Sequence, residues 1–468
     1  MNDQVSLSKP PKGWNRVRIG EVCDLKNGYA FKPSDWSREG LPIVRIQNLN
    51  NPLAPFNYYS GELRDRFKIK SGDLLFAWSG TPGTSFGAHI WRGGKAALNQ
   101  HIFRIDFDER SLHKKFFMFA INQKLTELIA KAHGGVGLRH VTKGKFEATE
   151  IDVPPYDMQE KLVTTIDALM SELDKGIESL KTAREQLKVY RQAVLKHAFE
   201  GKLTAQWREE NKDKLESPEQ LLARIKQERE ARYQQQLEEW KAAVKAWEVG
   251  GKEGKKPGKP REPKAVSALS IDVKNILPDV PAEWSWQKLG WMTCGAEYGT
   301  AAKSAEIGDV PVIRMGNLQN GVISWDDLVF TVDPEEIEKY ELRPGDVLFN
   351  RTNSPELVGK TAIYRGERRA VFAGYLIRIN QIDSIVLGQY LNLFLNSHVA
   401  KQYGNTVKTD GVNQSNINGE KLQSYPFPFC SLLEQKEIVC ILDEKLSLID
   451  RCAGDIEKEI TKSETLRQ

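Results

Sequence analysis

The sequence predicts an α+β protein made of two tandem copies of one mixed α/β module, each followed by a long helix. Three observations carry that prediction. A series of short phrases occurs twice in the same order. Each series ends in prolines, a glutamine and a long helical pattern. In both helical tails the apolar residues step by alternating threes and fours, the seam of a coiled coil.

The repeated phrases fix the alignment of the copies. Pro11-Lys-Gly-Trp14 returns as Pro281-Ala-Glu-Trp284, and Leu41-Pro-Ile-Val-Arg45-Ile-Gln-Asn48-Leu49 as Val310-Pro-Val-Ile-Arg314-Met-Gly-Asn317-Leu318. Gly72-Asp73-Leu-Leu-Phe76 returns as Gly345-Asp346-Val-Leu-Phe349. Gly and Asp suit a tight turn, and the apolar run after them suits a buried strand. Short β-rich pieces in each half, punctuated by Gly, Pro and Asn, read as a sheet-based module with a helical stretch after its last strand.

The tails begin at VPPYDMQEKLVTTID (153–167) and PFPFCSLLEQKEIVCILD (426–443). Ile166, Met170, Leu173, Ile177, Leu180 and Leu187 align with Leu442, Leu446, Ile449, Ala453, Ile456 and Ser463. Ile460 belongs to the second seam and has Arg184 as its counterpart, so the seam is imperfect. Gly201 is a natural stop for the first helix. Ser217-Pro218 reads as the start of a polar helix, with serine as cap and proline in the first turn. VGGKEGKKPGKPREPK (249–264) reads as a flexible linker. The expected domains are therefore 1–157 for the first module and 158–200 for its helix. A connector and linker follow at 201–280, then the second module at 281–430 and its helix at 431–468.

Bulk composition decides less. The 468 residues are 40% hydrophobic and 28% charged, and 67 basic residues nearly cancel 63 acidic ones, leaving +4. No apolar run approaches a membrane span, and MNDQVSLSKPPKGW has no signal-like apolar core. Five cysteines without paired spacing suit a reducing compartment, so a cytoplasmic location is expected.

The sequence offers no convincing catalytic centre. Asp152-Val-Pro-Pro-Tyr156 resembles the acid–Pro–Pro–aromatic loop of amino-methyltransferases, but Val153 intervenes and no Gly-rich strand–turn–helix precedes it. Prolines ending a strand before a helix is the simpler reading. Gly134-Gly-Val-Gly137 lacks the Gly-Lys-Ser/Thr of a phosphate loop, and the histidines show no metal-binding pattern. Catalytic and metal residues are therefore expected to be absent. The polar residues at the module ends are the better signal. In the first copy they are Trp78, Ser79, Thr81, Arg139, His140 and Lys143. In the second they are Asn350, Arg351, Thr352, Asn353, Lys408, Asn413, Gln414 and Asn416. Asn, Gln and Arg can hydrogen-bond base edges, whereas Lys mainly holds phosphates. The copies differ here while their frameworks agree, as two recognition surfaces on one scaffold should.

This layout resembles the DNA specificity (S) subunit of Type I restriction–modification systems. The resemblance spans the chain and rests on Trp14 and Trp284, the Gly-Asp turns, the proline–glutamine helix starts, and YRQAVLKHAFEGKLTAQWR at 190–208. It implies that the modules are target recognition domains and that the two long helices pair antiparallel as a coiled coil. A helix from Ile166 to Phe199 would span ~50 Å at ~1.5 Å per residue, about one and a half turns of B-DNA. The implied target is double-stranded DNA with an asymmetric, bipartite sequence. Implied partners are two modification (M) subunits, docked on the helices and supplying S-adenosylmethionine-dependent adenine methylation. Restriction (R) subunits using ATP and Mg2+ would complete the assembly, with no cofactor on this chain. Arg467-Gln468 are the equivalents of Arg191-Gln192, so the VLKHAFEGKLTAQW part of the string at 190–208 has no counterpart in the second copy. The polar helix at 217–248 is expected either to cap the coiled coil or to touch an M subunit. The competing readings are an adenine methyltransferase using Asp152-Val-Pro-Pro-Tyr156 and a protein-binding scaffold.

Overall fold

A computed structural model describes residues 9–51, 53–80, 86–130, 133–134, 139–254, 256–260, 262, 266–412 and 414–467, with backbone alone at Gly80, His133, Gly134 and Arg139. The chain divides into two compact units, the first running to Gly176 and the second from Ile177 to Leu466.

In the first unit, an antiparallel sheet orders Cys23–Asn27, Ile102–Phe107, Leu74–Ala77 and Gly87–Ile90. Leu74, Phe76, Phe103 and Ile105 from this sheet pack with Phe117 and Ile121 of the helix Lys114–Gln123. A second sheet orders Asn57–Tyr59, Leu41–Val44, Ala96–Leu98 and Lys68–Ile69. Asn15–Arg18 pairs with Glu150–Val153, which brings the start of the module beside the strand preceding the long helix Tyr156–Phe199.

The second unit repeats this plan. Thr293–Tyr298, Leu376–Gln381, Val347–Asn350 and Thr361–Ile363 take the same order, and the sheet extends through Gly321–Ile323 and Leu318–Gln319. Ser285–Lys288 pairs with Pro426–Phe429, and the helix Leu432–Arg467 follows. The single helical stretch expected after the last strand is broken in both copies, into Lys114–Gln123 and Leu125–Ala130, and into Gly388–Leu395 and His398–Val407. In the second copy Ser397 accepts from Ala400 N, capping a fresh helix where the first one ends.

The repeated phrases have matched structural duties. Gly72 and Gly345 sit at φ +91° and +98°, where glycine is favoured. Asp73 and Asp346 each accept from the backbone three residues earlier, Lys70 N and Arg343 N, both at 2.9 Å. Asn48 Oδ1 accepts from Arg45 N at 3.1 Å and Asn317 Oδ1 from Arg314 N at 2.9 Å, while each Nδ2 donates to carbonyls further along. Gln159 and Gln435 are buried twins. Gln159 Oε1 accepts from His113 N, and Nε2 donates to Pro154 O and Ser111 O. Gln435 Oε1 accepts from Leu387 N, and Nε2 donates to Ile385 O and Cys430 O. Each glutamine ties the start of its long helix to its own module.

Within the second unit the two long helices run antiparallel. Arg191 pairs with Asp450, Arg184 with Glu457 at 3.1 Å and Lys181 with Glu464 at 3.1 Å, one residue number rising as the other falls. Arg184, the polar break in the seam, thus has an acidic partner. Ile177, Leu442, Leu446, Ile449 and Ile460 are buried; Leu180, Leu187, Ala453, Ile456 and Ser463 are half-buried. In the first unit Ile166 and Leu173 are half-buried and Met170 is exposed.

Ser217 caps the polar helix Pro218–Val249 through a reciprocal pair with Gln220. Its first turns are not free. Leu221 and Ile225 are fully buried in the core of the second unit, together with Phe199 and Phe427. Arg229 donates to the carbonyls of Gly290, Trp291 and Thr293. Among the described residues, no helix is long and apolar enough to cross a membrane.

Candidate nucleic-acid interface

Where the shared Gly-Asp strand ends, each copy builds a small three-stranded sheet from its divergent residues. In the first, Arg139–His140 lies between Ser79–Gly80 and His133–Gly134. In the second, Ser415–Asn416 lies between Thr352–Asn353 and Thr409–Asp410. The register makes Ser79 equivalent to Thr352 and His140 equivalent to Asn416. Both pairs are joined by their side chains. Ser79 Oγ and His140 Nδ1 are 2.8 Å apart, and Asn416 Nδ2 donates to Thr352 Oγ1 at 2.7 Å. Geometry is kept while the chemistry changes.

The residue before each pair is also matched. Trp78 O accepts from Val141 N at 2.9 Å, and Arg351 O accepts from Ile417 N at 2.8 Å. The Trp78 ring stacks on Phe103 at 5.6 Å and tilts toward His140 at 5.9 Å. The Arg351 guanidinium lies 5.0 Å over the Tyr298 ring and donates through Nε to Gly374 O. Tyr298 Oη in turn accepts from Gly419 N. Burial lowers the pKa of His101, and the neighbouring His140 adds to that effect.

Several sequence candidates thus meet on these sheets: Trp78, Ser79 and His140 in one, Arg351, Thr352, Asn353 and Asn416 in the other. Lys408 stands at the foot of the second hairpin, paired with Asp410 at 3.7 Å, and Gln414 is exposed in its loop. Lys143 is exposed on the helix Lys143–Glu147, where it donates to Leu25 O and neighbours Glu147. Thr81 and Asn413 lie outside the described residues, and for Arg139 only the backbone is described.

Asn350 departs from the expectation of a surface reader. It is fully buried at the end of Val347–Asn350, opposite Leu376, and its amide has no hydrogen-bond partner among the described residues. The cause is the strand's central position in the sheet, which buries all four of its residues. Ser79 is buried too, beneath the surface its neighbours form. Tyr298 was missed by sequence reasoning. Register places Asn27 at its position in the first copy, opposite Phe103 as Tyr298 is opposite Ile377, so the signal was one more divergent strand end.

Asp152, the acid of the methyltransferase-like motif, is held by Arg16 through contacts of 2.8 and 3.1 Å across the Asn15–Arg18/Glu150–Val153 pair. That pair lowers the Asp152 pKa. Pro154 and Pro155 fall between the strand and the long helix that Tyr156 begins.

One frame carrying two differently furnished polar sheets defines a duplicated recognition protein. The chain belongs to the family described as Type I restriction modification DNA specificity domain, whose sequence pattern matches residues 11–182 and 294–462. It is 22% identical over 463 residues to the Type I restriction enzyme EcoBI specificity subunit of Escherichia coli, covering 97% of this chain and 84% of that one. With the EcoKI specificity subunit of Escherichia coli strain K12 it shares 21% identity over 492 residues, covering 99% and 89%. Among solved structures, the fold is similar to the HsdS subunit from Thermoanaerobacter tengcongensis, at TM-score 0.54 and 17% identity over 99% of this chain and 96% of that one. A chain from work on complex assembly and conformational transition of the type I R-M system gives a TM-score of 0.60 at 17% identity, covering 98% and 97%.

Proposed function

We propose that this chain is the non-catalytic specificity subunit of a Type I restriction–modification complex, and that each module reads one half of an asymmetric, bipartite DNA site. The observation that carries the proposal is the matched pair of reading positions His140 and Asn416, each held at an equivalent place by the residue opposite it, Ser79 and Thr352. They share one backbone geometry and differ in hydrogen-bonding groups. Different donors and acceptors on equivalent strands select different base edges. The long helices set the distance between half-sites and dock two M subunits, which bring S-adenosylmethionine; R subunits bring ATP and Mg2+. The complex acts in the cytoplasm, where its DNA lies.

The test is to assemble the chain with its modification subunits and map the methylated sites. Asn416→Ala is expected to relax base choice at one position of one half-site by about 5- to 100-fold, the discrimination carried by a good base contact. The other half-site keeps its specificity. Equal weakening on every sequence would make Asn416 a support of the fold or a phosphate contact, and would overturn its role as a reader.

A further inference from the structure

The Gly134–Gly137 run, which fits no phosphate loop, finds a counterpart once the two hairpins are aligned by register. His133 pairs with His140 and Gly134 with Arg139; Thr409 pairs with Asn416 and Asp410 with Ser415. Four residues then join the strands in each copy, GVGL at 135–138 and GVNQ at 411–414. Both begin Gly-Val, and every other position of the two hairpins differs. A residue kept amid such divergence ordinarily packs in the frame. Val412 does not, because it is 100% exposed. Val136 lies outside the described residues, so the structural argument stands on Val412.

We infer that Val412 is a sequence-independent DNA contact, an apolar tip that enters the major groove and packs against base edges whichever bases are present. The inference rests on the DNA-reading function proposed above. The major groove admits a two-stranded β-ribbon, and Thr409–Asp410 paired with Ser415–Asn416 is such a ribbon. Gly411 N donates to Gln414 O at 2.8 Å, closing the turn that holds Val412 outward. At the root, Ile417 N donates to Arg351 O, and at the foot Lys408 is paired with Asp410. Every base pair offers a pyrimidine C5 carbon in that groove, as C–H in cytosine or with a methyl in thymine. Valine makes an apolar contact with either carbon, and with no polar atom it selects no hydrogen-bonding base edge. That explains why the valine is shared while the residues that follow it in the loop are not.

The experiment uses the chain assembled with its modification subunits, and duplexes carrying the mapped site and single-base variants in the second half-site. Val412→Ser is expected to weaken binding about tenfold on every duplex, the effect of leaving a valine side chain out of an apolar contact. The pattern of methylated sites stays unchanged. A shift in base preference would make Val412 a reader, and undiminished affinity would leave it idle; either result overturns the inference. So would weakened assembly with the modification subunits in the absence of DNA, which would mark a protein contact. The wild-type complex provides the separate control. If it shows no preference for the mapped site, the DNA-reading function itself fails, whatever Val412→Ser does.

Discussion

Two buried glutamines, Gln159 and Gln435, each accept from one backbone N–H and donate to two carbonyls at the helix–module junction, so their own buried amides are satisfied. Their recurrence was visible in the sequence, but their bonding was not, because four of the six partners lie more than forty residues away. Asn350 shows the opposite error: a polar side chain after an apolar run reads as surface, yet the central strand is covered on both faces. Histidines give the residue scale its pH test. Burial lowers the pKa of His89 and His101 below the ordinary histidine value. On acidification the unfolded chain therefore takes up protons before the folded one does. Stability from these groups is complete above about pH 6.5, the unfolded value, and is lost as pH falls through the lower folded values. Thermal unfolding followed from about pH 7.5 to 5.5 should show the melting temperature dropping with acid. His89→Asn with His101→Asn should flatten that slope, whatever its effect on the melting temperature itself. A slope as steep as wild type would mean that other groups govern the acid response.

At the scale of elements, the family-like string at 190–208 has a physical task. Arg208 and Glu434 form a buried ion pair at 2.7 Å. Glu434 Oε1 also accepts from Thr204 Oγ1 at 2.7 Å, and Oε2 accepts from Trp284 Nε1 at 2.8 Å. The Arg208 guanidinium lies 5.5 Å over the Trp284 ring and donates to Gly201 O. This clasp joins two features that the sequence marked separately, the string at the end of the first long helix and the tryptophan opening the second module, through the glutamate before Gln435. Met158 occupies the equivalent of Glu434 in the first copy, so the clasp is not duplicated. Removing one partner strands a buried charge, and Glu434→Ala or Arg208→Ala is expected to cost about 3–5 kcal/mol. Changing both to methionine should recover most of that loss, since a buried pair is often replaceable by apolar groups. Denaturant unfolding of the single and double variants measures the coupling. Additive losses would show that the pair does not act as a unit. Helices, the main strands and the duplication were legible here because long periodic patterns and repeated phrases extend over many residues. The two-residue strands of the small polar sheets were not, since so short a segment carries no period and its partner is distant in sequence.

At the scale of the whole molecule, duplication produced two units with their own interiors. Phe76, Phe103, Phe117 and Phe146 fill the first, while Phe349, Tyr390, Phe394 and Phe427 fill the second, where Phe199 from the end of the first long helix joins them. Phe76 and Phe349 hold the same place in the repeated Gly-Asp strand, and both are buried to within 1%. Matched position and matched burial make them a controlled pair of probes. Separate cores predict that unfolding is not a single two-state event, because losing one interior leaves the other's contacts intact. Phe76→Ala and Phe349→Ala should each cost about 3–5 kcal/mol, the usual loss for a buried phenylalanine. Each loss should be confined to its own unit. Calorimetry of the full chain should resolve two transitions, one lowered by Phe76→Ala and the other by Phe349→Ala. If both substitutions instead moved one common transition by the same amount, the units would unfold as a single cooperative body, and the duplicated modules would not be thermodynamically independent.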